Sequence, residues 1–370
     1  MDLTALLQNG SKAISQTQCV SIDGSLSKLL PVKHGVPQGF ILGPLLYTLF
    51  TNELPEVVHD HLHRTDSEDW PCYNMSCKLC GSLSCYADDT TYSCSDPDPV
   101  LRSEKLSANY SIISEFMIKL NDEKTHLMVM TTSKMRKSTK PNNDVKLRTP
   151  TEEIRPSPSE KLLGAWIHQD MKWEEHLQDN KESAIKSLST RLGALKMIGR
   201  VGSFKTRKMV GNGIFMSKLT YLIGLWGGCN MHLLKSLQIM QNKAARVVTK
   251  LDWSTSTSVL LAQCGWLSVN QLVVYHSVVL VYKVLKSKQP KPLHSMFLTE
   301  YTYKKTSTAR SMSIQQRGHP TLDIGKDSFR WRAAKSYNQL PASIKSCESL
   351  EQFKLEDKKW TNINIPVHCS

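Results

Sequence analysis

Two aspartates between short apolar runs are the residues of this chain best placed to do chemistry. Ser82 to Ala87 carries Leu83 and Tyr86, Thr90 to Cys94 carries two β-branched threonines and Tyr92, and Asp88-Asp89 stands between them. The pattern predicts two strands joined by a tight turn. Adjacent carboxylates repel each other and gain little structurally, so the pair invites a divalent cation. Oxygen ligands suit Mg²⁺, which takes one or two carboxylates and completes its shell with water and substrate phosphates. Taken alone, an Asp-Asp pair is more often an ordinary solvated turn. Cys72, Cys77, Cys80 and Cys85, spaced C-x4-C-x2-C-x4-C, form a second candidate site, for Zn²⁺, with His59, His61 and His63 as further ligands. The commoner reading there is unliganded thiols, with the Cys85 side chain turned into the core.

These residues must be positioned by the elements around them. Gln18 to Lys33 reads as a small hairpin around Asp23-Gly24. Gly35-Val36-Pro37-Gln38-Gly39-Phe40 is a loop whose glycines remove bulk and whose proline stiffens the chain, so that backbone can lie close to a ligand. Read alone it is more often a helix-initiating turn. It opens a helix with Leu42, Leu45, Leu46, Leu49, Phe50 and Leu54 on one face, ended by Pro55. Residues 56–81 lack periodicity and read as a Cys/His-rich insertion. A helix follows from about Pro99 to Met117, then Lys119 to Thr125, and a strand from His126 to Met130. Lys134 to Lys140 is basic, and Pro141 to Pro158 reads as a loop with few apolar anchors. A strand spans Lys161 to Ile167. The chain is then mostly helical to Gln289, with Ile185, Leu188, Leu192 and Leu195 on one face and Leu233, Leu237, Met240, Ala244 and Val247 on another. Leu272 to Leu285 is apolar enough for a buried helix. Beyond Pro290 the chain is basic and sparse in apolar residues, until Phe329-Arg330-Trp331-Arg332 and a short last helix.

Composition fits a globular protein: 40% hydrophobic and 22% charged. Lys and Arg number 47 against 33 Asp and Glu, a net charge of +14 that favours a polyanionic partner. No stretch approaches the roughly 20 apolar residues that span a bilayer, so no membrane is expected. Met1 to Gly10 does not resemble a secretory signal. The ten cysteines are expected to be reduced thiols in the cytoplasm or nucleus. Oligomeric state is not legible.

Gly35 to Leu46 resembles the nucleotide-pocket motif of non-LTR retrotransposon reverse transcriptases, and Tyr86-Ala87-Asp88-Asp89-Thr90 resembles their catalytic hairpin. Asn121 to Met128, containing Lys124-Thr125, resembles the motif whose lysine sits near the incoming triphosphate. Leu162-Leu163-Gly164 with Trp173 and His176 resembles the primer-grip hairpin and the start of the thumb. Arg332-Ala333, Tyr337-Asn338 and Leu340-Pro341 resemble the end of the same proteins. The likeness runs from about Gln18 to Lys354, with five motifs in order.

It implies an α+β fold, in which an incomplete polymerase palm with an antiparallel sheet (residues 1–168) precedes a helical thumb-like region (169–290) and a basic C-terminal extension (291–370). It implies RNA-directed DNA polymerase chemistry by two-metal nucleotidyl transfer, with RNA template, DNA primer and dNTP as partners. Asp88 and Asp89 would bind Mg²⁺ and Lys124 would assist the leaving pyrophosphate. Pro37, Gln38, Gly39 and Phe40 would shape the nucleotide pocket, and Leu163 and Gly164 would form the primer grip. Lys181, Lys186, Arg191 and Lys196 would contact nucleic acid.

The family also needs a metal-binding aspartate several tens of residues before the Gln-Gly loop. The 34 residues before Gly35 offer only Asp2 and Asp23. Phe40 stands where the family usually has a small hydroxyl residue. The expectation is therefore a decayed or truncated copy, inactive by itself. Two other classes predict different behaviour: a non-catalytic nucleic-acid-binding protein would bind independently of Asp88 and Asp89, and a zinc-stabilised interaction module would hold about one zinc per chain.

Overall fold

The computed structural model describes residues 17–31, 43–54, 57–58, 81–87, 89–96, 98–116, 120–131, 145–297, 299–303, 310–314 and 323–367. The fold is α+β. Its strands pair antiparallel in six separate two-stranded ladders among the described residues. The chain divides into two compact units, residues 1–129 with 136–157, and residues 130–135 with 158–370.

The first unit opens with nested ladders: β1 (Thr17–Gln18) pairs with β4 (Leu30–Pro31), and β2 (Ser21–Ile22) with β3 (Ser25–Leu26). Asp23 and Gly24 both have positive φ, 48° and 84°, as a primed hairpin turn requires. Helix α1 spans Gly43–Thr51, stopping short of Leu54. Leu45 and Leu49, placed on its apolar face by periodicity, are exposed, whereas Leu54 and Val58 are buried beside Ile112 and Ile113. Strands β5 (Ser82–Tyr86) and β6 (Asp89–Ser93) form the acidic hairpin. Helix α2 (Pro99–Phe116) starts on proline, with the Val100 N–H donating to Asp98 Oδ1 at 2.8 Å.

The strand expected at His126 to Met130 forms only one bridge, Leu127 with Pro156, because proline has no N–H to extend a ladder. Its alternation nevertheless holds, with Leu127 and Val129 buried against Tyr110. Within the Pro141 to Pro158 stretch, the described part from Val145 is more ordered than its composition implied. Val145 and Leu147 are core residues, and β7 (Leu147–Arg148) pairs with β8 (Glu153–Ile154).

The second unit contains hairpin β9 (Ser159–Leu162) and β10 (Ala165–His168); the residue pattern read Lys161 to Ile167 as one strand, whereas the resemblance implied a hairpin turning at Leu162-Leu163-Gly164. Helices α3 (Ala184–Val201), α4 (Phe204–Val210), α5 (Met231–Thr249) and α6 (Thr257–Cys264) enclose one core. Helix α7 (Val269–Ser287) starts at a capping box, in which Gln271 N–H donates to Ser268 Oγ and Ser268 N–H to Gln271 Oε1. Its first half, with Val269, Leu272 and Val273, completes that core. Its second half, with Val278, Val281, Tyr282 and Val284, builds another with α8 (Phe329–Gln339) and α9 (Leu350–Asn364). Burial on both halves explains its nearly continuous apolar sequence. The last helix is 15 residues long rather than short. Strands β11 (Thr299–Tyr303) and β12 (Arg310–Ile314) pair in the same unit. Among the described residues no single helix is long and apolar enough to cross a membrane.

Candidate functional site

The acidic hairpin is anchored at its open end and exposed at its tip. Leu83 pairs with Tyr92, and both pack on the cluster of Leu54, Val58, Ile112 and Ile113. The Tyr92 hydroxyl accepts a 2.9 Å hydrogen bond from Asn109 Nδ2 of α2, and Asn109 is fully buried. Gly81, at φ +65°, lies so close that a Cβ there would strike the Ser93 carbonyl and come 2.8 Å from the Tyr92 hydroxyl. Only glycine lets β5 start there. At the other end Tyr86 pairs with Asp89, and Ala87 turns the chain at φ 51°, a left-handed conformation unusual for alanine. Asp89 and Tyr86 are exposed. A carboxylate at an exposed strand head can reach a cation or a ligand from solvent, and nothing described competes for it as an ion-pair partner.

Lys124 is held by a different device. It closes a 3₁₀ turn, Asp122–Lys124, and its side chain is exposed. Asp122 fixes that turn: Oδ1 accepts from the buried Tyr110 hydroxyl, and Oδ2 accepts from Thr151 Oγ1 and, at 3.2 Å, from Thr149 Oγ1. Burial, followed by the Asp122 hydrogen bond and charge, pushes the Tyr110 phenol up to about 12. Sequence reading passed over Asp122, which sits in a polar run that marks it in no way. Asp122→Ala would strand the Tyr110 hydroxyl and should cost about 2–3 kcal/mol, since hydrogen bonds to charged groups are the stronger ones. The checks are urea unfolding and alkaline titration of tyrosine absorbance, in which one phenol should move down toward 10.

In the second unit, Leu163 and Gly164 form the two-residue turn of β9–β10, at φ 47° and 80°. The Leu163 carbonyl accepts a 2.6 Å hydrogen bond from the Tyr221 hydroxyl, and the Tyr221 ring lies 3.5 Å from where a Gly164 Cβ would stand. His176 is buried, edge-on to Trp173 at 6.3 Å, and its Nδ1 accepts from the Trp166 N–H at 3.4 Å. Burial, then the nearby Lys218 charge, pulls its pKa down to about 4, so it is neutral near pH 7. Lys218 itself is pulled down by burial and by the charges of Arg191 and Lys161. Lys161 pairs with Glu182 at 2.5 Å. Lys218 and Tyr221 join the turn only through the tertiary fold, and no local signal pointed to them.

Lys181, Lys186 and Lys196 are exposed, while half-buried Arg191 donates through Nη1 to the Ile214 carbonyl at 2.9 Å. Asp88, Pro37, Gln38, Gly39, Phe40, Cys72, Cys77, Cys80, His59, His61, His63 and the run Lys134 to Lys140 lie outside the described residues. Cys85 is described, and the expectation that it faces the core is wrong. It is exposed, and Thr90 Oγ1 approaches its Sγ at 3.9 Å. Among the described residues no three His, Cys, Asp or Glu converge as a metal site.

A family model described as reverse transcriptase (RNA-dependent DNA polymerase) matches residues 4–167. The chain is 24% identical over 249 residues to the RNA-directed DNA polymerase from mobile element jockey of Drosophila melanogaster, covering 64% of this chain and 24% of that protein. It is 25% identical over 240 residues to the probable RNA-directed DNA polymerase from transposon X-element of the same organism, covering 62% and 23%. The chain thus spans about a quarter of the length of these relatives.

Proposed function

We propose that this chain is part of an RNA-directed DNA polymerase acting on RNA template, DNA primer and dNTP, because residues 4–167 match the reverse transcriptase family model and the chain is similar to the jockey and X-element polymerases. The acidic hairpin carries the reading. Its tip is solvent-facing, with Asp89 at the head of β6, while its base is locked to α2 through Tyr92 and Asn109. In this reading Asp88 and Asp89 supply one corner of a divalent-cation site that a further carboxylate must complete. The Asp122 clasp presents Lys124 toward the triphosphate, and the Leu163-Gly164 turn, braced by Tyr221, bears on the primer. The exposed Lys181, Lys186 and Lys196 contact phosphates.

These 370 residues by themselves should bind primer–template without extending it, because Asp23 occupies an exposed hairpin turn and supplies no second metal-binding carboxylate. The test is primer extension on an RNA template with Mg²⁺, beside Asp88→Asn and Asp89→Asn. Expected are no incorporation in any of the three and equal, salt-sensitive primer–template binding. Incorporation by the unaltered chain that Asp88→Asn abolishes would show that another carboxylate completes the site, and the inactivity would be refuted. No binding at all would remove the polymerase reading of the helical region.

A further inference from the structure

The positive charge is concentrated. Between Ser183 and Thr299 there are sixteen Lys or Arg and a single carboxylate, Asp252, a surplus of fifteen against +14 for the whole chain. Not all of it is free to meet a ligand. Arg207 is buried, with Nε donating to the Val248 carbonyl at 2.8 Å and Nη1 to Gly202 at 2.6 Å, so it braces α4 against α5. Helix α5 is different. It contains no acid, and at 3.6 residues per turn Lys235, Ile239, Lys243, Arg246 and the C-capping Lys250 fall within an arc of about 80°. Lys235, Lys243, Lys250 and Ile239 are exposed.

The stripe leads to Trp253, whose side chain is 81% exposed. The loop bearing it is held firmly. Arg246 Nη2 donates to the Trp253 carbonyl at 3.0 Å, and Asp252 Oδ1 accepts from the Ser254 N–H and hydroxyl at 2.9 and 2.8 Å. The lone carboxylate of the region is therefore turned into the loop, while the indole is left in water at the end of a cationic track. An apolar surface of that size gains nothing by standing in solvent. A flat π-face beside lysines spaced along one helix face is the chemistry that stacks bases and follows phosphates.

We propose that the outer face of α5 and Trp253 form a binding track for a single-stranded nucleic acid, with phosphates along Lys235, Lys243 and Lys250 and one base stacked on the indole. The track uses neither Asp88 nor Asp89, so its dependence on Trp253 is read separately from primer extension. The full chain is titrated into labelled oligo(U) and oligo(dT) of about twelve nucleotides, within the range one such site covers, and into a duplex of equal length. Trp253→Ala should weaken single-strand binding about tenfold, Trp253→Phe should retain most of it, and duplex binding should hold within about threefold. Lys243→Ala and Lys250→Ala should each lower the slope of log affinity against log salt by about 0.7. Either sugar binding tighter is compatible with the track and identifies the strand. Unchanged single-strand binding in Trp253→Ala, equal losses on duplex, or no single-strand binding by the unaltered chain would overturn it. Displacement by poly-glutamate with the same Trp253 dependence would assign the face to an acidic protein and overturn it too.

Discussion

Asp357→Asn should become progressively more stable than the unaltered chain as pH rises from 4 to 8. Asp357 lies on α9 with no exposed surface; Thr361 Oγ1 approaches Oδ1 at 3.3 Å, and Oδ2 is buried with no hydrogen-bond partner. Burial pushes its carboxyl up to about 7, the Thr361 hydrogen bond only partly opposing it. Tyr275 on α7 is close enough to feel its charge. Since the folded pKa lies above the unfolded value of 3.8, the group's full contribution is present below that value. It is lost as pH climbs to about 7, where the buried carboxylate is forced to ionise. At about 1.4 kcal/mol per unit the loss is on the order of 4 kcal/mol.

His176 acts with the opposite sign. Its folded pKa of about 4 lies below the ordinary 6.5, so its contribution is present above 6.5 and falls away in acid. The two nearly cancel in the raw profile of the unaltered chain. The informative quantity is the difference between the two proteins from urea unfolding at several pH values, in which His176 drops out. A difference flat from pH 4 to 8 would show that the Asp357 carboxyl is not raised.

Phe353→Ala should be the more damaging change at any pH. Phe353 is fully buried and stacks on Tyr282 of α7, with ring centroids 3.9 Å apart and planes 16° from parallel. Tyr282 in turn donates a 2.6 Å hydrogen bond to the Cys347 carbonyl, just before α9. Truncating a buried phenyl leaves a cavity and should cost about 3–5 kcal/mol, with the lost ring pair within that figure. Limited proteolysis should then cut within 342–367, where the intact chain resists, and Phe353→Leu should recover part of the loss. A Phe353→Ala chain as resistant and as stable as the original would mean that α9 is not held by this core.

The same helix shows where sequence reading stopped. Beyond Pro290 the chain looked basic and poor in apolar residues, because α9 scatters Leu350, Phe353, Leu355, Trp360 and Ile363 among many charges. Its most buried apolar anchor is Phe353, whose stacking partner lies 71 residues earlier, and linear spacing cannot reveal that pairing. Asp122 is a similar case, since its clasp needs Tyr110, Thr149 and Thr151 brought together from three segments. Periodicity misled at Leu45 and Leu49, which keep helical spacing but have solvent, not a core, against their face.

The sequence by itself determined the local grammar. Asp23-Gly24 set a primed turn, alternating residues around Asp88-Asp89 set a hairpin, proline started α2, Ser268 with Gln271 opened α7, and the charge balance concentrated cations between Ser183 and Thr299. Each follows from interactions between residues a few positions apart or from composition alone. The tertiary structure alone decided which charges remain free and which are consumed. Arg207 became a buried brace and Asp357 a raised acid, while Lys250 and Trp253 stayed in water. Burial, desolvation and long-range hydrogen bonds decide those fates, and all three depend on which distant residues the fold packs alongside.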